Sequence, residues 1–407
     1  MLLFPDVTVT PGATAVPGFM AGATYCGLRK SDRADLALVL APYGATVAGV
    51  FTQSQVVAAP VIVARERVAS GGAAAFIVNA GNANACTGAP GMDATLAICA
   101  HYEEALGLAT GQVIPASTGV IGVPLPVEKV TGASAALSLA LTEGAEGIAA
   151  LSEAIMTTDT RAKACHVHVT VGEDTYAVCG VAKGSGMIKP NMATTIGLIL
   201  TDAPLSAAAA RSSLSQITGP TFNSVTVDGD TSTNDTLVLM ASGTAQAASI
   251  EPGTPAHASL TAAIGAVAEY LAREIARDGE GATKLVEVWV RGAASDADAH
   301  TVAMTIAESP LVKTALFGND ANWGRVAAAA GRSGVSFDQG DLAITFCTIP
   351  VCAHGTAVPF DEDAAFAAMN QPEVTLEVSL GGGSGWARVL TCDLSYDYVR
   401  INGEYRT

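Results

Sequence analysis

Residues 183–203 read KGSGMIKPNMATTIGLILTDA, and the interpretation of the whole chain starts from this stretch. Two glycines flank Ser185, and Pro190 with Asn191 then leads into Met-Ala-Thr-Thr. The apolar run Ile196–Leu200 that follows predicts a buried strand. A threonine at a tight entry to such a strand stands where a fold can hold a strained peptide bond. On composition alone, the favoured interpretation is a simple Gly-Pro turn before a strand.

Strand-like and helix-like segments are mixed along the rest of the chain. The predicted strands are Leu36–Leu40, Phe76–Asn79, Cys165–Val171, Tyr176–Val181, Leu285–Val290, Leu342–Cys347 and Val374–Val378. The predicted helices are Asp93–Leu108, Gly147–Met156, Ser206–Ile217, Pro255–Arg277, Asp296–Ala307 and Asp361–Met369. Gly172-Glu-Asp predicts a hairpin, and Gly381-Gly-Gly-Ser-Gly a turn or bulge. A chain of 407 residues is too long for one ordinary core, so we expect a two-domain layered α/β fold with mixed sheets.

Charge and composition exclude several classes of protein. The formal net charge of -17 disfavours a nucleic-acid partner, because affinity for phosphates rests on Lys and Arg. No window has the ~18 consecutive apolar residues that span a bilayer, and a basic membrane-surface helix is absent from the sequence. The first ten residues, MLLFPDVTVT, lack the features of a signal peptide. The 8 cysteines are scattered without a framework spacing, which indicates free, buried thiols. We therefore expect a soluble, cytoplasmic protein with no nucleic-acid or membrane partner.

Two patterns resemble metal sites, and neither is convincing. His166 and His168 share one face of a predicted strand without a nearby third ligand, so an exposed strand face explains them better than zinc. The run Asp228–Asp235 has the oxygen ligands of a calcium loop but lacks the later glutamate and the helical flanks, which favours a polar loop. We predict no metal site.

The glycines beside Lys183 do not form a phosphate-binding P-loop, because Lys183 precedes them instead of following them.

The opening stretch resembles the processing site of the ornithine acetyltransferase family, the bifunctional enzymes of arginine biosynthesis, whose pattern is close to K-G-x-G-M-I-x-P-N-M-A-T. Other family-like stretches occur in family order over nearly all 407 residues. They are Ala48-Gly-Val-Phe-Thr, Asn79-Ala-Gly-Asn-Ala-Asn-Ala-Cys-Thr-Gly, Ser117-Thr-Gly-Val-Ile-Gly, Met156-Thr-Thr-Asp-Thr, Val227-Asp-Gly-Asp-Thr-Ser-Thr-Asn-Asp-Thr, Asp278-Gly-Glu-Gly-Ala-Thr-Lys, Gly318-Asn-Asp-Ala-Asn-Trp-Gly-Arg and Asn402-Gly-Glu-Tyr-Arg-Thr407. On these residues the chain is identified as a member of that family.

Membership implies a fold and a maturation step. The family's fold is a two-domain α/β sandwich that resembles the fold of certain N-terminal-nucleophile aminopeptidases. The bond between Ala193 and Thr194 matches the family's self-cleavage site. Cleavage there gives an α fragment, residues 1–193, and a β fragment, residues 194–407, and the family's fragments pair into an α2β2 heterotetramer.

The resemblance also implies the site residues. Thr194 matches the nucleophile, and Thr118 and Gly119 match the oxyanion-hole pair. The implied substrate-binding positions are Thr157, Lys183, Thr194, Glu280, Asn402 and Thr407.

The implied reaction is acetyl transfer from N2-acetylornithine to glutamate, giving ornithine and N-acetylglutamate through an acetyl-Thr194 intermediate. Two half-reactions that share one covalent intermediate predict ping-pong kinetics. A threonine hydroxyl keeps its proton at neutral pH, so its attack needs an adjacent base. The α-amine freed at Thr194 has an ordinary pKa of roughly 7.7–8 and can act as that base, so the uncut precursor is expected to be inactive. No cofactor is expected, and acetyl-CoA stays open as a second acetyl donor.

Two of the implied residues carry charges that suit the substrate. Lys183 is a partner for the substrate carboxylate and Glu280 for the ornithine ammonium, because a charge held away from water needs an opposite charge. Without the resemblance, Lys183 reads as a solvated turn lysine and Glu280 as a helix-end carboxylate. Likewise Thr157 reads as a hydroxyl at a helix end, and Asn402 with Thr407 as a frayed tail.

Some alternatives stay open at this stage. Thr195 places a second hydroxyl beside Thr194, although the family pattern favours the first, and Lys189 adds a charge at a variable position. A rival enzyme is an N-terminal-nucleophile amidase or aminopeptidase of the same fold, in which water replaces glutamate. A rival of another class is an uncleaved, non-catalytic paralogue that binds or assembles other molecules; the intact Ala193-Thr194 pair argues against it.

Overall fold

The fold is described from a computed structural model, which describes residues 2–189, 195–245 and 248–404. These residues form two units. The first comprises the described residues of 1–184, 190–223 and 231–271, and the second comprises those of 185–189, 224–230 and 272–407. Each unit therefore takes residues from both sides of the Ala193–Thr194 bond, and the division into fragments 1–193 and 194–407 stays a prediction.

Strands and helices follow one another along the whole described chain. The strands are β1 (Thr10–Pro11), β2 (Met20–Thr24), β3 (Leu36–Phe51), β4 (Gly72–Asn82), β5 (Val113–Val120), β6 (Lys163–Val171), β7 (Asp174–Lys183), β8 (Ile196–Thr201), β9 (Thr236–Ala241), β10 (Leu285–Ala293), β11 (Ala343–Phe346), β12 (Ile349–Ala353), β13 (Thr356–Ala357), β14 (Glu373–Ser379) and β15 (Gly385–Cys392). The helices are α1 (Ala59–Val68), α2 (Gly88–Ala105), α3 (Val127–Gly132), α4 (Ser134–Leu139), α5 (Ala145–Ala154), α6 (Ala207–Thr218), α7 (Pro255–Arg277), α8 (Asp296–Ala307), α9 (Pro310–Phe317), α10 (Trp323–Gly331), α11 (Glu362–Met369) and α12 (Tyr396–Glu404).

The first unit is built on a mixed sheet. Among the described residues its strand order is β1-β6-β7-β8-β9-β3-β4-β5, with β2 paired to β3. The pairs β4–β5 and β8–β9 are parallel, whereas β6 and β7 form the antiparallel hairpin predicted at Gly172. The long strand β3 pairs with β4 from Leu36 to Thr46 and with β9 from Thr46 to Phe51, and its register with β4 shifts between Leu40 and Ala45.

Side chains alternate along β3 between two hydrophobic cores. Val39 lies in the same buried cluster as Cys179 on β7 and Leu198 on β8, so the two parts of the sheet pack face to face. Leu38 points to the opposite face, into a cluster that includes Tyr102 on α2. Helix α6 packs on β3 and β9. The first unit is therefore a layered sandwich with helices outside two facing parts of one sheet, as the sequence predicts.

The second unit is built on a smaller mixed sheet. Within the described part of the chain its strand order is β13-β12-β11-β14-β10-β15. Strand β10 pairs in parallel with β14 and antiparallel with β15, so the Gly381–Gly385 run crosses over β10. A Cβ at Gly383 would lie 2.8 Å from the carbonyl oxygen of Gly292, which leaves room only for glycine. Helix α8 packs on β10 and β15, where Val288 and Ile306 lie in one buried cluster, and α10 packs on α8.

Every predicted strand and helix overlaps an element of its own kind, and two helices, α7 and α8, have the predicted bounds. The prediction stopped β3 too early and had no counterpart for β5. Within the described ranges it also had none for six other strands and six helices, which are β1, β2, β9, β12, β13, β15, α1, α3, α4, α9, α10 and α12. Pro42 and Gly44 in β3 and Pro115 in β5 read as strand breakers. In the structure β5 is the last strand in the order of its sheet, the position where a strand tolerates proline.

Three further findings concern the cysteines, membrane-spanning helices and metal sites considered in the sequence analysis. All 8 cysteines are free thiols, as predicted, but the prediction that they are buried is wrong for Cys86, which is exposed, and Cys26 and Cys347 are only partly buried. No helix in the described ranges is long and apolar enough to cross a membrane. In that same part of the chain, no group of three or more His, Cys, Asp or Glu side chains is arranged to hold a metal ion.

Candidate active site

The predicted oxyanion pair lies where strands β4 and β5 become irregular. The register of this parallel pair shifts at Gly81 and Asn82, opposite Thr118 and Gly119. Gly119 has a φ of 131°, and a Cβ there would lie 2.6 Å from the backbone nitrogen of Asn82. Only glycine fits this backbone conformation at such a close approach. A register shift of this kind turns a backbone N–H away from its ladder partner and is common beside active sites. Such a change of direction is expected for the Gly119 amide if it is to donate to a substrate.

Buried asparagines hold the residue before this pair. The side-chain amide of Asn234 donates to the carbonyl oxygens of Ser117, at 2.9 Å, and of Ala83, at 2.6 Å. The Ser117 hydroxyl donates to the Asn79 side chain at 2.6 Å. All these side chains are buried, where hydrogen bonds are electrostatically stronger than in water. The backbone that leads into Thr118 is therefore rigidly positioned.

Lys183 and Thr118 meet although their strands are far apart in the sheet. The Lys183 ammonium lies 3.3 Å from the Thr118 hydroxyl. Five strand-to-strand steps separate β7 from β5, which in a flat sheet would place them about 24 Å apart. The contact exists because the sheet folds over along β3 and brings the ends of β5 and β7 together. Both residues are buried, so the interpretation of Lys183 as a solvated turn lysine is wrong.

A buried carboxylate that the sequence analysis did not single out links two of the predicted substrate positions. Asp159 accepts hydrogen bonds from the Lys163 ammonium at 2.7 Å, from the backbone N–H of Gly184 at 2.7 Å and from the backbone N–H of Thr157 at 2.9 Å. Burial alone would raise the pKa of the Asp159 carboxyl, but the charges of Lys183 and Lys163 outweigh it and hold that pKa well below its usual range. The only sequence signal was its place in the family-like stretch Met156-Thr-Thr-Asp-Thr.

In the second unit, Glu280 and Asn402 are in contact. The Asn402 side-chain amide donates to the Glu280 carboxylate at 2.7 Å, and the Glu280 backbone N–H donates to the Ser185 carbonyl oxygen at 3.0 Å. Glu280 is buried and lies beyond the last residue of α7. Asn402 belongs to helix α12, so a frayed tail is the wrong description of that residue. The structure thus joins two of the predicted ligand positions within this unit.

Comparisons with known proteins identify the family of this chain. The sequence profile of the ArgJ family matches residues 20–407. A relative from Gloeobacter violaceus, an arginine biosynthesis bifunctional protein ArgJ, is 46% identical over 401 residues, which cover 97% of this chain and 98% of the relative. The chain belongs to the ArgJ family. It is an enzyme, an acyltransferase of arginine biosynthesis.

Solved structures include two that resemble this ArgJ-family chain. One is the arginine biosynthesis bifunctional protein from Bacillus halodurans, with 46% identity over 50% of this chain and 96% of the solved chain, and a TM-score of 0.49. The other is the ornithine acetyltransferase from Mycobacterium tuberculosis complexed with ornithine, with 36% identity over 46% of this chain and 98% of the solved chain, and a TM-score of 0.43.

Three of the site residues predicted for this ArgJ-family chain, Ala193, Thr194 and Thr407, lie outside the described residues. The neighbour of the predicted nucleophile, Thr195, is described. It is buried, and its carbonyl oxygen accepts the backbone N–H of Thr236 at 2.9 Å. Sequence reasoning therefore named Thr118, Gly119, Thr157 and Lys183 in the first unit and Glu280 and Asn402 in the second. It did not identify the buried groups that position them.

Proposed function

We propose that this enzyme moves an acetyl group from N2-acetylornithine to glutamate, releasing ornithine and forming N-acetylglutamate. One observation carries the proposal: the ammonium of Lys183 lies 3.3 Å from the hydroxyl of Thr118. A cation beside an oxyanion donor suits an acetyl donor that also bears a carboxylate, because the charge can anchor the substrate while the hydroxyl stabilises the developing oxyanion. Membership of the ArgJ family supports the same reaction.

We assign the two substrate charges to Lys183 and Glu280. Lys183 receives the α-carboxylate, and its buried position strengthens this pairing because little water competes for the charge. Glu280 receives the side-chain ammonium of ornithine. The Asn402 amide holds its carboxylate at 2.7 Å and so fixes the direction in which it faces. Thr157 and Thr407 complete the set as further substrate contacts.

Thr194 is the proposed nucleophile, and it is exposed by self-cleavage. Its hydroxyl oxygen attacks the carbonyl carbon of Ala193, and the C–N bond breaks as its proton passes to the leaving nitrogen. Water then hydrolyses the resulting ester, which leaves a carboxylate on Ala193 and both a free hydroxyl and a free α-amine on Thr194. Burial of Thr195, together with the bond from Thr236 to its carbonyl oxygen, supports the first of the two adjacent threonines.

In turnover, the Thr194 amine takes the proton of the hydroxyl as that oxygen attacks the acetyl carbonyl of N2-acetylornithine. The hydroxyl of Thr118 and the amide of Gly119 donate to the oxyanion, and ornithine leaves with the proton. The amine of glutamate then attacks the acetyl-Thr194 ester and regenerates the hydroxyl. The kinetics are ping-pong, and acetyl-CoA can load the same ester if the enzyme accepts it.

The sheet gives a reason why cleaved fragments would stay together. Strand β8 follows the proposed cleavage site and lies between β7, to which it is antiparallel, and β9, to which it is parallel. Strand β9 in turn pairs with β3. Fragment 194–407 thus supplies two strands that fragment 1–193 flanks on both sides. We propose an α2β2 assembly of such fragments, and the cytoplasmic location stays a prediction.

A denaturing mass spectrum and a release assay test this function. We expect two fragments, the second beginning Thr-Thr-Ile-Gly, and release of ornithine from N2-acetylornithine that depends on added glutamate. Thr194→Ala abolishes both cleavage and transfer, whereas the control Thr195→Val keeps them. Release that is equally fast without glutamate would make the enzyme a hydrolase. An uncut wild-type chain without activity would favour the non-catalytic paralogue.

A further inference from the structure

The segment that leads towards the proposed cleavage site is held by one carboxylate. Asp228 accepts hydrogen bonds from the backbone N–H groups of Met187, at 2.6 Å, and Ile188, at 2.8 Å. Two backbone donors on one ionised side chain make short, charge-assisted hydrogen bonds. The Asp230 backbone N–H, at 3.2 Å, ties the same carboxylate to its own loop. This loop is the polar run that resembled a calcium site in the sequence.

The backbone around this contact adopts a conformation that needs support. Met187 has a φ of 57°, in the left-handed region that residues other than glycine seldom occupy. The carbonyl oxygen of Ile188 accepts the backbone N–H of Val227 at 2.7 Å, and Ile188 is almost completely buried. One residue later, the Lys189 ammonium pairs with Glu308 at 3.0 Å. Each of residues 187–189 is therefore held by a hydrogen bond or an ion pair.

The loop that carries Asp228 is itself anchored on a strand. The backbone N–H of Thr226 donates to the carbonyl oxygen of Leu390 on β15 at 2.9 Å, and Val225 forms a parallel bridge with the same residue. The carboxylate is thus presented from the sheet of the second unit. A side chain on such an anchored loop can impose its geometry on the segment that it contacts.

We propose that Asp228 is a positioning residue for self-cleavage: it fixes residues 187 and 188 so that the chain reaches the Ala193–Thr194 bond in a conformation competent for attack. The inference rests on the self-cleavage proposed above. An intramolecular attack depends on near-contact geometry, and a misplacement of about 1 Å can cost about 100-fold in rate. Asp228 acts through the segment and contacts no reacting atom in this role.

The experiment follows cleavage of freshly purified full-length chain by intact mass over time. Asp228→Asn keeps the shape of the side chain but leaves at most one oxygen to accept the two N–H groups. We expect cleavage to slow by at least about tenfold, with the thermal unfolding midpoint close to that of the wild type. The matched control is Asp230→Asn, which removes the same charge from an exposed position two residues away and should cleave at the wild-type rate.

The outcomes separate this inference from the proposed function. An uncut wild-type chain contradicts the proposed maturation itself. If the wild type cleaves and folded D228N cleaves equally fast, the positioning role is wrong. Should D228N fail to fold, Asp228→Glu takes its place, because it keeps the charge and displaces the oxygens by one methylene. Slow cleavage by folded D228E supports the role, and unchanged cleavage by it overturns the role.

Discussion

The Asp159 carboxylate accepts a 2.7 Å hydrogen bond from the backbone N–H of Gly184, the residue that follows Lys183. The same side chain accepts the N–H of Thr157 at 2.9 Å. One buried carboxylate therefore holds the backbone of Thr157 and of Gly184, the residue after Lys183, and both Thr157 and Lys183 are proposed substrate contacts. Its ion pair with Lys163 is fully buried, with neither side chain exposed to solvent. We therefore expect Asp159 to stabilise the fold through this pair and to position the proposed substrate contacts through its two backbone partners.

Breaking this pair should destabilise the protein strongly. Asp159→Asn leaves the Lys163 ammonium buried without its anion, and removing one partner of a buried pair costs about 3–5 kcal/mol. The double variant Asp159→Asn with Lys163→Met should lose less than the sum of the two single losses. Urea unfolding of all four proteins measures the coupling. Asp202→Asn, at another buried carboxylate that accepts a backbone N–H, is the control and should leave the effect of Lys163→Met unchanged. Strictly additive losses for Asp159 and Lys163 would contradict the pairing.

The same carboxylate predicts a dependence of stability on pH. The folded-state pKa of Asp159 is depressed, so its contribution to the free energy of unfolding is fully present above the unfolded-state pKa of about 3.9 and is lost as pH falls towards the folded-state pKa. The stability difference between wild type and D159N should be constant from about pH 5 to 7 and shrink below about pH 4. Urea unfolding across this range measures it. A difference that grew on acidification would be inconsistent with a depressed pKa.

Gly119 should tolerate no side chain, because a Cβ at this position would clash with the neighbouring backbone. A Cβ there would lie 2.6 Å from the backbone nitrogen of Asn82, so Gly119→Ala must displace the predicted oxyanion amide. We expect kcat to fall by about 100- to 1,000-fold, as for loss of one oxyanion donor. Gly122→Ala is matched, because Gly122 also has a positive φ, 82°, but nothing lies within 4 Å of its Cβ position. It should keep most of the activity, and equal losses in both variants would point to backbone strain alone.

The charge of Glu280 should matter for one substrate more than for the other. Glu280→Gln keeps the shape of the side chain but loses the charge that we assign to the ornithine ammonium. Because a hydrogen bond to a charged group contributes about 1.5–3 kcal/mol, kcat/KM for N2-acetylornithine should fall about 10- to 100-fold. The KM for glutamate should change much less. Glu373→Gln, on a half-exposed carboxylate of the same unit, is the control. Equal losses for both substrates would argue against the assignment.

Local patterns predicted the elements of this fold better than their arrangement. Helix α8 had its predicted bounds because its signals are local: the Ser295 side chain accepts the backbone N–H of Asp298 and caps the helix. The folding over of the sheet along β3 depends on pairings between distant segments, and no short window contains them. The contact between Lys183 and Thr118 follows from that folding, so spacing in the sequence could not show it.

For the candidate site, too, the sequence indicated part of the answer: it indicated the site residues but not the buried groups that position them. The family resemblance named residues that are predicted to contact the substrate, and the structure brings Lys183 to Thr118 and Asn402 to Glu280. Asp159 was missed because an aspartate in a polar stretch looks the same in sequence whether it is solvated or buried. Its role depends on Lys163 and Gly184 reaching the same oxygen, which only the folded chain determines.

The anchor of the Asp228 loop has a consequence for the order of events in the cell. Leu390, whose carbonyl oxygen receives the N–H of Thr226, lies near the end of the 407-residue chain. A ribosome therefore completes β15 only after nearly everything else has been made. Under the proposed role of Asp228, an unfinished chain cannot hold the segment before the scissile bond. A product truncated before β15 is expected to stay uncut, so an incomplete enzyme never acquires its reactive threonine.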